Sequence, residues 1–244
     1  MKLLSIGNSF SQDAHRWLHQ LAEQHGVDIQ TVNLYIGGCS LERHWTNVEE
    51  NNALYSMEPN GNPGEVLVSI AQMLESDTWD VITLQQVSGL SGLQESYEPY
   101  LSSLAALVRE KQPQAKLYFH QTWAYEKDFV AERYEKYDSN QLKMFQCIQK
   151  VTYWAAEKIG ADLIPTGEVI QRIRQEVPEF QYLEGGQSLC RDGFHLTRDY
   201  GRYAAAAVWL AKLAGIRLEC RDFEDFDRNL LEKIVDKVNE YFAY

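Results

Sequence analysis

Short apolar runs alternate with helical patterns along this chain, and no other feature limits the fold as tightly. Runs suited to buried strands fall at residues 3–6, 29–35, 81–84, 116–119 and, more weakly, 162–164. Between the first two, Ala14, Trp17, Leu18, Leu21 and Ala22 recur at the spacing of one helix face, with Ser11 placed to cap the start and Gly26 to end it. Further helical patterns cover 65–75, 98–111, 142–158, 198–214 and 226–242, with Pro113, Gly160 and Gly215 as stops. Strand and helix in alternation specify βαβ units, hence a mostly parallel sheet covered on both faces. A chain of 244 residues, 45% of them hydrophobic, can bury one such core, so a single domain over residues 1–244 is expected.

Two stretches fit neither period. Residues 45–63 are rich in Asn, Gly and Pro, and residues 123–139 in aromatic and charged side chains. Long connections in a compact α/β domain are characteristically lids or binding loops, and both are expected to be insertions of that kind. The net charge of -12 opposes unassisted binding to phosphate backbones or anionic membranes, so nucleic acid is not expected as a partner. Cys39, Cys147, Cys190 and Cys220 form no Cys-x-x-Cys pair and read as free thiols. No run is long enough to span a bilayer, and the start lacks the pattern of a signal peptide. A cytoplasmic location is the expectation, or an exported one if a signal has been removed.

The chemistry concentrates at two places. The first strand ends in Gly7-Asn8-Ser9-Phe10-Ser11 and runs straight into a helix. In an open parallel sheet, ligands bind beyond the carboxyl ends of the strands, which puts Ser9 on the floor of the crevice. The unpaired N–H groups of the following helix start face the position of a developing oxyanion. Taken alone, the motif reads more readily as Ser9 or Ser11 capping that helix. Far along the chain, Asp192-Gly193-Phe194-His195 precedes another helix. A serine hydroxyl needs a base, and the base needs an acid to fix its tautomer; Asp and His three apart can supply both from one loop.

Gly-Asn-Ser-Phe at the first strand end, the Gly37-Gly38-Cys39-Ser40 turn after the second strand, and Asp-x-x-His before the last helices together resemble the SGNH (GDSL-like) serine hydrolase superfamily, in particular a bacterial branch of it. The resemblance covers most of the chain. It implies a three-layer α/β/α sandwich on a flavodoxin-like five-stranded parallel sheet, order 2-1-3-4-5. It also implies Ser9 as nucleophile and backbone oxyanion donor, Gly38 as second donor with Gly37 the alternative, His195 as general base and Asp192 as its orienting partner. No cofactor is implied. The superfamily's usual Gly-x-Asn-Asp after the third strand is replaced by Leu84-Gln85-Gln86. A glutamine amide offers the missing donor on a longer stem, so Gln86, nearer the crevice, is expected in the oxyanion site, while Gln85 satisfies buried backbone groups or lines the pocket.

Other side chains carry weaker signals. Trp123, at the end of the fourth strand, is expected to wall the pocket for a sugar or acyl group or else to pack in the core. His44 is expected either to line the pocket or to sit half-exposed on a helix. His15 and His19 are four apart without the Glu of His-Glu-x-x-His, and no metal site is expected there. The resulting expectation is an esterase or deacetylase acting on small acyl esters, O-acetylated carbohydrate among them. The competing one is a catalytically weak carbohydrate- or ligand-binding module on the same fold. A flavin or nucleotide binder is disfavoured, because the first turn lacks Gly-x-Gly-x-x-Gly and the P-loop lysine.

Overall fold

The strand β1 (Lys2–Gly7) is buried on both sides, and its residues divide by parity. Leu4 and Ile6 face one hydrophobic cluster while Leu3 faces another, as the two-residue period of a strand requires. The computed structural model describes residues 1–243, in which β1 is followed by α1 (Ser9–Gln24), β2 (Gln30–Tyr35), α2 (Leu41–Glu49), β3 (Tyr55–Pro59), β4 (Leu67–Val68) and α3 (Ile70–Ser76). Next come β5 (Val81–Leu84), α4 (Tyr100–Lys111), β6 (Lys116–His120), the single turn α5 (Glu132–Glu135) and α6 (Gln141–Lys158). The chain closes with β7 (Asp162–Ile164), α7 (Thr166–Glu176), α8 (Tyr200–Ala214) and α9 (Arg228–Phe242).

These strands make one sheet in the order β4-β3-β2-β1-β5-β6-β7. The central five, β2-β1-β5-β6-β7, are parallel and reproduce the expected 2-1-3-4-5 order. The strand count of five is corrected to seven. Residues 45–63 contribute β3, which pairs antiparallel with β2, and β4 follows antiparallel on β3. That segment therefore widens the sheet, and its Gly61 lies directly against the backbone of His15 and Arg16.

The helix patterns hold with shifted starts. The 65–75 pattern begins only at Ile70, because Leu67 and Val68 are taken into the sheet edge. Helices α2 and α7 carry no counterpart in the sequence reading. Their inward faces include His44 and Asn47, and Gln171 and Arg174, which mask the apolar period.

The two faces of the sheet differ. Helices α2, α3, α4 and the second half of α6, through Val151, Ala155 and Ala156, cover the Leu4, Ile6, Ile82, Leu84, Leu117 and Phe119 face, whose strand side chains are apolar. Helices α1, α7, α8 and α9 cover the other, with α1 and α8 packed along one another. On this second face Leu3, Val81 and Tyr118 are followed, two residues on, by Ser5, Thr83 and His120, and then by Gln85 just past the end of β5. Its amino end is thus apolar and its carboxyl end polar, although all of it is buried.

Candidate active site

Local chemistry fixes Ser9 first. Asn8 is the N-cap of α1, its Oδ1 accepting the Phe10 N–H (3.0 Å), while Ser11 Oγ accepts the Asn8 N–H (3.1 Å) to complete a capping box. The cap is therefore Asn8, and Ser11, expected as the cap, supplies the returning half of the box. Ser9 becomes the first helical residue, whose N–H has no partner within the helix. Gly7 is required here, since a Cβ on it would fall 1.9 Å from Ser11 Oγ.

His195 comes to Ser9 from 186 residues away. Its Nε2 lies 2.9 Å from Ser9 Oγ and its Nδ1 lies 2.8 Å from Asp192 Oδ2. An ionised carboxylate can only accept, so Nδ1 carries the proton and Nε2 presents its lone pair to the Ser9 hydroxyl. Asp192 Oδ1 also accepts the N–H groups of His195 (2.8 Å) and Phe194 (3.2 Å), which folds the loop around its carboxylate. Burial alone would raise the Asp192 pKa; the hydrogen bonds and the nearby imidazole outweigh it and hold the carboxyl below the usual range. Ser9 is half-buried and the His195 side chain is 20% exposed, so the pair is open to a small reactant.

Two supports hold that loop. Trp123 stacks on Phe10 with centroids 4.2 Å apart and donates from Nε1 to the Phe194 carbonyl (2.7 Å). Asp13, one turn beyond Ser9 on α1, is completely buried and accepts the Leu196 N–H (2.9 Å), Arg191 Nη1 (3.1 Å) and Arg202 Nε (2.7 Å). The sequence reading missed Asp13. A signal was present, because an acid lay on the apolar face between Phe10 and Trp17.

Gly38 sits at φ +65 in the turn closed by the Cys39 N–H on the Ile36 carbonyl (3.3 Å), a conformation that favours glycine. Gly37 and Gly38 are both exposed, beside the start of α1 to which Asn8 Nδ2 ties them through the Cys39 carbonyl (3.0 Å).

The two glutamines divide their work opposite to expectation. Gln86 Oε1 accepts the Leu41 and Val87 N–H groups (3.0 and 2.8 Å), and Nε2 donates to Ser96 O and Oγ (3.0 and 3.1 Å). Both of its N–H groups are committed, so it satisfies loop backbone and offers no oxyanion donor in this arrangement. Gln86→Ala is accordingly expected to lower the melting temperature, since each buried group left unpaired costs about 1–3 kcal/mol, and to leave the kcat of the folded fraction within about threefold. A thermal melt and active-site-titrated kinetics check this.

Gln85 bonds no backbone; it joins Asn8 to His120. The expected pocket-lining role of Gln85, Trp123 and His44 is not met, as they are 1%, 0% and 0% exposed. Trp123 braces the Asp192–His195 loop from within. His44 stacks on Tyr55 and bonds its hydroxyl (2.9 Å), and burial pushes its pKa down to about 3. His15 is likewise interior, bonded to Ser5 Oγ (2.7 Å), while His19 turns to the Ile29 carbonyl (2.7 Å), so the pair does not converge. Tyr125, Tyr134 and Tyr137 of the 123–139 segment are also buried, anchoring it to the core, while Lys127, Asp128, Val130, Glu132 and Arg133 between them are exposed.

Comparisons with known proteins fit this architecture. Compared by sequence with curated proteins, the chain has no match. Among solved structures, a DUF4886 family protein from Bacteroides uniformis is 34% identical, with a TM-score of 0.90 over 100% of this chain and 95% of that one. A provisionally named SGNH hydrolase from Slackia heliotrinireducens is 22% identical, with a TM-score of 0.61 over 88% of this chain and 99% of that one. A catalytic mutant of an acetylxylan esterase from Geobacillus stearothermophilus is 16% identical, with a TM-score of 0.54 over 86% and 93%. The last two share the fold, which is that of the SGNH/GDSL-like hydrolases. The model of a domain of unknown function, DUF4886, matches residues 2–237, and with that span the chain belongs to the DUF4886 family.

Proposed function

We propose that the protein is a serine esterase of small acyl esters working through an acyl-enzyme. The observation that carries this reading is the hydrogen-bonded line from Asp192 through His195 to Ser9, set at the carboxyl edge of the sheet. Ser9 Oγ attacks the acyl carbonyl and passes its proton to His195 Nε2; Asp192 stabilises the imidazolium that results. The carbonyl oxygen becomes an oxyanion facing the N–H groups of Ser9 and Gly38. His195 then protonates the leaving alcohol, and water, deprotonated by the same imidazole, releases the acid and frees Ser9.

The substrate class is a short acyl ester, O-acetylated carbohydrate included. The half-buried Ser9 beside the exposed Gly37 and Gly38 suits a small acyl group on a bulky, polar alcohol. Structural neighbours named as acetylxylan and acetyl-xylooligosaccharide esterases support the sugar.

Incubation with a fluorophosphonate probe, followed by mapping of the modified peptide, tests the reading. Labelling at Ser9 that is lost in His195→Ala is the expected result. A protein that binds acetylated xylooligosaccharide yet takes no label is a binding module, and the esterase reading then fails.

A further inference from the structure

A row of buried side chains runs from the sheet to the oxyanion amides, and a single backbone group fixes its polarity. The Phe10 N–H can only donate, so the atom of Asn8 facing it is Oδ1. Gln85 lies 2.6 Å from that same oxygen and must therefore present its Nε2 hydrogens, which turns its Oε1 toward His120. His120 Nδ1, 2.6 Å from that oxygen, must then carry a proton. At the other end Asn8 Nδ2 donates to the Cys39 carbonyl (3.0 Å). The donors thus point one way, His120 to Gln85 to Asn8 to the Gly37–Gly38–Cys39 turn, an arrangement in which each bond polarises the next.

Capping α1 explains only one of these bonds. The cap needs Asn8 Oδ1 and the Phe10 N–H; it needs neither Gln85 nor His120 nor the bond to Cys39. All three side chains are at most 1% exposed, on a sheet face whose other end is apolar. Apolar side chains there would avoid the desolvation cost that three buried polar groups impose. What the row does is geometric. Asn8 precedes Ser9 in the chain, and Cys39 follows Gly38, so one amide joins the two segments that carry the oxyanion donors.

We propose that Gln85 and His120 are positioning residues that, through Asn8, hold the Ser9 and Gly38 N–H groups at the spacing an oxyanion requires. The inference rests on the serine esterase reading and goes beyond it, by stating what replaces the side-chain donor that Leu84-Gln85-Gln86 lacks. Neither residue touches the substrate. Burial drives the His120 pKa down to about 3, so it stays a neutral donor across the working range and adds no charge beside the oxyanion.

The test uses Gln85→Met, which keeps the shape and removes both bonds, with the pair His120→Leu and His120→Asn. The asparagine amide can reproduce the Nδ1 donor. Kinetics on 4-nitrophenyl acetate are normalised to fluorophosphonate-titrated Ser9, so an unfolded fraction does not count. Inhibition by ethaneboronic acid, whose boron accepts Ser9 Oγ to give a tetrahedral adduct with an oxygen in the oxyanion position, is measured alongside. Gln85→Met and His120→Leu are expected to lose about 10- to 100-fold in kcat with KM within about twofold, and to weaken boronate inhibition by the same factor. His120→Asn should remain within about threefold of the parent. Unchanged kcat in both apolar variants would overturn the positioning role while leaving Ser9 labelling intact. So would an equal loss in His120→Asn and His120→Leu, which would mark the effect as packing. Absence of Ser9 labelling in the parent protein would overturn the esterase reading and this inference with it.

Discussion

Ser9→Ala and His195→Ala are each expected to remove nearly all hydrolysis of a short-chain aryl acetate, a loss on the order of 10⁴- to 10⁶-fold in kcat. The geometry makes the two losses equivalent. Ser9 Oγ has its proton acceptor at 2.9 Å, and either partner without the other leaves an unactivated hydroxyl or an idle imidazole. Residues acting as one unit lose activity non-additively, so the double variant should be no slower than either single one. Asp192→Asn should be milder than Ser9→Ala, though still large, because an amide there can donate to Nδ1 and turn the imidazole to the wrong tautomer. Steady-state rates for the four variants, with circular dichroism showing an unchanged fold, check this. Full activity in Ser9→Ala would end the serine esterase reading.

Asp13→Ala is the substitution expected to cost the most stability. Its carboxylate is wholly enclosed and accepts from a loop amide, from Arg191 on that loop and from Arg202 on α8. Removal leaves two guanidinium groups facing a void and the Leu196 N–H unpaired. Breaking a buried pair costs about 3–5 kcal/mol, and because the Arg191 side chain is 29% exposed and can turn to water, the low end applies. At about 2–4 °C per kcal/mol for a chain this size, the melting temperature should fall by about 6–12 °C. Catalysis should weaken as well, since the same carboxylate ties the His195 loop to the helix that bears Ser9. Asp13→Asn keeps an acceptor for Leu196 and should fall between the two. A thermal melt of all three proteins decides the order, and an unshifted midpoint in Asp13→Ala would contradict it.

The central strands were legible in the sequence because they are buried on both faces and concentrate apolar residues, with Ser5, Thr31, Asn33 and Thr83 interrupting the runs of β1, β2 and β5. Their order needed the resemblance as well as the pattern. Helix α2 was hidden because Leu41, His44 and Asn47 face inward, two of them polar, and β4 is too short at two residues to leave any period. Ser9, Asp192 and His195 were singled out from their motifs. Asp13 and Asn8 were not, and Trp123 carried a signal for pocket or core but not for bracing that loop, since all three owe their roles to partners far away in the chain. Alternation along β5 separated Gln85 from Gln86 correctly, but it says nothing about which face adjoins α1. In the 123–139 segment the composition does not separate the aromatics that anchor it from the exposed stretch, because Trp123 owes its place to Phe10 and Phe194, which lie far away in the chain.

The packing of α1 along α8 also sets a timetable. A ribosome releases Ser9 186 residues before its hydrogen-bond partner His195, a gap of roughly 10–40 s at about 5–20 residues per second. Throughout that interval Ser9 is an ordinary hydroxyl on a nascent chain. Its activation waits on the Asp192–His195 loop and on the docking of α8, whose Arg202 grips Asp13. On the esterase reading, a translation product halted anywhere before that loop cannot attack esters, or a fluorophosphonate, however well its first strands have folded.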